Sequence, residues 1–148
     1  MTEIKNDLHL EAWRLFITLH AKLIELIDAD LQAAGGIPLQ HYDVLIELFE
    51  AEGKQLRMYE LAQRVVLSRS SITRLVDQLA EQGLLTRRTD PADRRGSYAV
   101  LTETGEAALR GSWPIYRNAI RQRFDSFLTD EEAATMAQAF GRIQAAVE

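Results

Sequence analysis

The chain has 148 residues, carries 17 Lys and Arg against 22 Asp and Glu, and contains no cysteine. This length suffices for one domain with a sizeable core, and the lack of cysteine excludes disulfides and thiol-based redox sensing. The formal net charge of −5 argues against simple nucleic-acid binding unless the basic residues are gathered in one place. No apolar run reaches the roughly 18 residues that a membrane-spanning helix needs. The first residues, MTEIKNDLHLEAW, are charged and lack the apolar stretch of a secretory signal, so a cytoplasmic protein is expected.

Leu8 to about Ala33 reads as one long helix. Trp13, Phe16, Ile17, His20, Ile24, Ile27 and Leu31 follow one stripe, and Leu8, Ala12, Leu15, Leu19 and Leu26 follow another. One stripe serves a monomer's core; a second implies burial against a partner chain. Gly35, Gly36 and Pro38 end the helix. Tyr42, Leu45, Ile46 and Phe49 then build a second helix, closed near Gly53.

Two short helical patterns follow. Met58, Leu61, Ala62 and Val65 lie on one apolar face, and Val66 and Leu67 interrupt it. Ser68 suits an N-cap, because its hydroxyl can accept an orphan amide of the next helix. That helix runs from Ser68 to Gln82, buries Ile72, Leu75, Val76 and Leu79, and is stopped by Gly83 at its C′ position. Its other face carries Arg69, Ser70, Ser71, Thr73, Arg74, Asp77 and Gln78. Small hydroxyls and arginines permit close approach to phosphates and base edges. Taken alone, the same face also fits the solvated side of an ordinary helical hairpin.

Leu84 to Arg88 and Tyr98 to Leu101 read as two strands around TDPADRRGS, which is rich in turn formers. Arg94 and Arg95 near the tip of such a ribbon can enter a narrow minor groove, where negative potential is enhanced. Asp90 and Asp93 do not suit that role directly; an Asp is expected to pair with a nearby Arg and stiffen the loop. Gly96 is expected to permit the turn through its tolerance of positive φ. Thr102 then caps a helix continuing towards Phe127, which Pro114 should bend or break. Thr129 and Glu132 form a capping box for a last helix with Ala133, Met136, Ala137, Phe140 and Val147 on its apolar side.

Charge supports this division. Residues 54–98 hold nine Lys and Arg and five Asp and Glu, a balance of +4, which leaves −9 for the remainder. A duplex senses the local patch within a Debye length of roughly 8–10 Å. A basic head on an acidic body is therefore compatible with DNA binding.

In order and spacing, LRMYELA, LSRSSITRLVDQLAEQGLL, the D-x-R-R-G-like run Asp93-Arg94-Arg95-Gly96 and LTETG from Leu101 to Gly105 resemble the winged helix-turn-helix of the multiple-antibiotic-resistance-regulator (MarR) family. The motif-bearing part is about a third of the chain, and the flanking helices fit the family's layout. The resemblance implies a mainly α fold with a small β-hairpin wing. A reading head at about 54–101 would be flanked by dimerisation helices at 1–35 and 102–148, all in a single domain. It also implies a homodimeric transcription regulator on an inverted-repeat operator in double-stranded DNA, often released by a small ligand. DNA contacts would fall to Ser68, Arg69, Ser70, Ser71, Thr73 and Arg74, with Arg94 and Arg95 in the wing. Asp93 would brace Arg95.

Competing chemistry is weak. His9 and His20 would stand about 16 Å apart along one helix, too far to share a metal. His41 could approach His20, but no metal-ligand spacing is present, so no metal is expected. There is no G-x-S-x-G, P-loop or G-x-G-x-x-G motif, and Asp130, Glu131 and Glu132 suit a helix N-terminus better than acid–base work. No cofactor is expected beyond a small aromatic or phenolic effector between the first, second and fifth helices. Trp13, His20, His41, Trp113 and Arg117 are candidates to line its site, with aromatic walls and Arg or His to pair a carboxylate. The rival classes are a winged-helix protein-docking module without DNA binding and a small helical enzyme.

Overall fold

The computed structural model describes residues 7–65, 69–93 and 96–148, with Arg69 described by its backbone alone, and the described residues form six α-helices and one three-stranded antiparallel sheet. In chain order they are α1 (Leu8–Ala33), α2 (Leu39–Glu50), β1 (Gln55–Arg57), α3 (Met58–Arg64), α4 (Arg69–Glu81), β2 (Leu85–Thr89), β3 (Ser97–Leu101), α5 (Glu103–Arg123) and α6 (Asp130–Val147). Two compact units share them. The head is one uninterrupted segment, Leu31–Tyr116; the other unit joins residues 1–30 to residues 117–148.

The head is built on the expected apolar faces. Leu61 and Ala62 of α3 and Ile72, Leu75, Val76 and Leu79 of α4 are all buried, together with Leu45 and Leu48 of α2. Gly83 ends α4 with φ +74°, a conformation costly for any residue with a Cβ. Thr102 caps α5, its hydroxyl oxygen accepting the Gly105 N–H at 3.0 Å. The same hydroxyl donates to the Gly83 carbonyl at 2.6 Å, so it fastens the end of α4 to the start of α5. Gly105 sits so close to this junction that a Cβ there would lie 1.9 Å from the Leu84 carbonyl oxygen.

The hairpin expectation needs one addition. The sheet has three strands in the order β1-β3-β2, with β3 in the middle. Its register sets Arg57 of β1 and Arg88 of β2 on either side of Tyr98. Gln55–Arg57 is too short for an alternating pattern; it pairs because Leu56 is buried in the common core. The helix after the wing ends at Arg123, with a 3₁₀ turn at Asp125–Phe127 beyond it; Pro114 lies inside the helix, where its ring removes one backbone donor. Tyr116 packs edge-on against Tyr42 and Trp113, and the Ser112 hydroxyl accepts the Ile37 N–H at 3.1 Å.

In the other unit, Asp7 caps α1 by accepting the N–H groups of His9 and Leu10. The Thr129–Glu132 capping box opens α6 as expected. Phe16 packs on Phe140 at 5.4 Å between ring centres, and Arg123 binds Asp30 through two nitrogens. Apolar side chains remain uncovered here. Trp13, Leu15, Phe16, Ile17, Leu19 and Ile24 are each between 44 % and 57 % exposed, more than a single chain's core would leave on one helix.

Candidate nucleic-acid interface

With its apolar stripe turned into the head, α4 presents Ser70, Ser71, Thr73 and Arg74 to solvent along its first turns. Ser71, Arg74, Leu75 and Gln78 line a shallow cleft of about 220 Å³ with Gln40, from the first turn of α2. The periodicity of α4 placed its own face; nothing in the sequence announced that Gln40, thirty-one residues before Ser71, would stand beside it. Ser68, Arg94 and Arg95 lie outside the described residues, as does the expected pairing of Asp93 with Arg95.

The hairpin is fixed to this face by polar contacts. Arg87 of β2 donates to Asp77 of α4 at 2.8 Å, and Arg88 donates to Gln55 of β1 at 2.9 Å. At the root of the wing, Arg57 Nη2 donates to Asp90 Oδ2 at 2.6 Å. Asp90 is buried. The Ala92 N–H and the Arg57 guanidinium hold its carboxyl below the usual aspartate range, against the opposing effect of burial. Asp90 in turn raises the pKa of Arg57, so the pair stays ionised. An Asp–Arg brace was expected within the loop; this one reaches to a residue 33 positions earlier. Gly96 has a steric reason to be glycine: a Cβ there would stand 2.6 Å from Arg57 Nη1, where the guanidinium reaches Asp90.

The residues proposed to line an effector site are divided between the units. Trp113 lines a groove of about 520 Å³ between α2 and α5 in the head, with Tyr42, Ile46, Phe49, Glu50, Leu109 and Arg110. His41 belongs to the same unit but does not line that groove. Trp13 and His20 lie in the other unit, on either side of Phe16, at 6.0 and 6.2 Å between ring centres. Arg117 is also in that unit and is held by Asp125 at 2.6 Å. No group of three or more His, Cys, Asp or Glu among the described residues could hold a metal ion. No described helix is long and apolar enough to cross a membrane.

A buried tri-helical core, an exposed polar helix and a three-stranded sheet ending in an arginine-bearing hairpin define a winged helix-turn-helix protein. Residues 35–96 match the model of the MarR family. Over 119 residues the chain is 32 % identical to the transcriptional repressor MprA of Escherichia coli, covering 80 % of this chain and 67 % of that one. It is 29 % identical to the repressor MdtR of Bacillus subtilis over 99 % of this chain and 89 % of that one. The crystal structure of Sco3205, a MarR family regulator from Streptomyces coelicolor in complex with DNA, superposes with a TM-score of 0.83. It is 31 % identical and covers 93 % of this chain and 86 % of that one. The chain belongs to the MarR family of transcriptional regulators.

Proposed function

We propose that this protein is a repressor that binds an inverted-repeat operator as a homodimer. In this reading α4 enters the major groove, with Arg69, Ser70, Ser71, Thr73 and Arg74 reading bases and holding phosphates. Arg94 and Arg95 reach the flanking minor groove, with Asp93 bracing Arg95. The observation that carries the reading is the two-sided character of α4, a fully buried apolar stripe behind an exposed row of hydroxyls and arginine. The named relatives support it, since two are repressors and one was crystallised with DNA. The uncovered apolar side chains of α1 support a second copy as partner. A small aromatic or phenolic effector would act by changing the spacing of the two heads.

The test is selection of duplexes from a random pool with the wild-type protein, followed by titration of the enriched sequence. An inverted repeat is expected. The Arg69→Ala, Arg74→Ala double variant should lose affinity by about 1–3 kcal/mol for each base contact removed, with relaxed specificity. Equal affinity of wild type and double variant would refute the assignment of α4. Sedimentation at low micromolar concentration should give twice the 16.8 kDa chain mass. A clean monomer would remove the basis for two half-sites.

A further inference from the structure

Arg57 is the last residue of β1 and directly precedes α3, where its backbone N–H donates to the Glu60 carboxylate at 3.1 Å. Its side chain reaches the turn that follows β2. There the guanidinium pairs with Asp90 and lies 4.8 Å above the centre of the Tyr98 ring. The Arg88 guanidinium lies at the same 4.8 Å from that ring. The strand register explains this, because Arg57, Tyr98 and Arg88 occupy one row across the sheet, and residues in one row share a face.

Asp90 is the other half of the device. It is the first residue after β2 and organises the turn that carries the wing. Its Oδ1 accepts the Ala92 N–H at 2.9 Å, its carbonyl accepts the Asp93 N–H at 3.3 Å, and its own N–H donates to the Gly96 carbonyl at 3.0 Å. Every one of these bonds fixes the turn internally. Among the contacts named here, only Arg57 ties that turn to the start of the helix-turn-helix. The glycine at 96 leaves the space through which the guanidinium passes.

We propose that Arg57 is a positioning residue for DNA binding, acting through Asp90 to set the angle at which the wing leaves the head, without itself touching the duplex. This rests on the DNA-binding reading above. A direct phosphate contact fits less well. The charge of Arg57 is already engaged by a carboxylate whose side chain is only 10 % exposed, and its planar group is stacked on Tyr98. Lysine would keep the charge but lose the flat stacking surface and the fork.

The test uses the full-length protein and the duplex enriched from a random pool. Variants are Arg57→Met, Arg57→Lys and Asp90→Asn, each made in the wild-type background and in the Arg94→Ala, Arg95→Ala background. Melting temperature is measured alongside affinity. Arg57→Met and Asp90→Asn should each weaken binding about tenfold in the first background and hardly at all in the second, as coupled neighbours do. Arg57→Lys should recover part of the loss. The proposal is overturned if Asp90→Asn binds as tightly as wild type while Arg57→Met does not, because Arg57 would then contact DNA itself. It is equally overturned if the losses persist without the wing arginines, or if they track the melting temperature alone. A wild type that enriches no duplex overturns the DNA-binding reading and this proposal with it. Equal affinities of all variants overturn only the positioning role.

Discussion

Asp77 on α4 and Arg87 on β2 are joined by a hydrogen-bonded ion pair of 2.8 Å, so the helix that faces outward and the hairpin beside it share a charged link. The link also places a carboxylate on a face otherwise bearing hydroxyls and arginines. Asp77→Ala should release Arg87 and remove one negative charge. Affinity for random duplex at low salt should rise, and the slope of log K against log salt should steepen by up to about 0.9 for one added phosphate contact. Titrations at several salt concentrations measure both quantities; an unchanged slope would place Arg87 away from phosphates.

The wing arginines allow a separation of binding from folding. The Arg94→Ala, Arg95→Ala variant should bind operator more weakly, with melting temperature nearly unchanged, as expected of charges whose role is to meet DNA. Operators with altered flanks decide the mode. A uniform loss signifies phosphate contact, whereas a change in flank preference signifies readout of the groove. Unchanged affinity on every operator would mean that the hairpin is no wing.

Acid should loosen the root of the wing. The Asp90 carboxyl is held below its ordinary range by the Ala92 N–H and by Arg57, so its pKa is lower folded than unfolded. Its contribution is therefore complete above the unfolded pKa of about 3.9 and is lost as pH falls through the folded value. Glu106, lowered by Lys54 and Arg110, and Glu132, lowered by Thr129, act in the same sense. Melting temperatures between neutral pH and pH 3 should show wild type losing stability below about pH 4. Asp90→Asn should start lower and fall less over that interval. Parallel curves for the two proteins would show that Asp90 titrates alike in both states.

Much of the fold was legible because it depends on neighbours in sequence. The stripe Ile72, Leu75, Val76 and Leu79, the stop at Gly83, the cap at Thr102 and the box at Thr129 and Glu132 are all local patterns. What escaped depends on register between distant segments. The three residues of β1 carry no alternation to detect, yet their pairing with β3 puts Arg57 beside Tyr98 and within reach of Asp90. At Gly96 the sequence offers a turn, but not the side chain 39 positions earlier, Arg57, whose guanidinium stands where a Cβ would go.

Two glycines of α5 should respond oppositely to alanine. At Gly105 the added methyl would meet the Leu84 carbonyl oxygen, a backbone atom that cannot move aside cheaply, and stability should drop by about 1–3 kcal/mol. At Gly111 nothing lies within 4 Å of the new methyl, so the helix should gain roughly 0.5–1 kcal/mol from the lost flexibility of the unfolded chain. Denaturant unfolding of the two variants measures both signs. A stabilised Gly105→Ala would contradict the packing at that junction.

Because the head is one stretch of chain whose buried cluster runs from Leu31 to Leu109, that cluster is built from residues of this stretch and does not wait for the chain termini. Its assembly is then a first-order event whose rate is indifferent to protein concentration, while pairing of copies is second order. At low copy number in a cell these two clocks separate. If copies pair as proposed, a newly made chain would own a finished head before it owned a partner, and the concentration at which heads become coupled in pairs, rather than the folding of either one, would set the threshold for occupying a two-part operator.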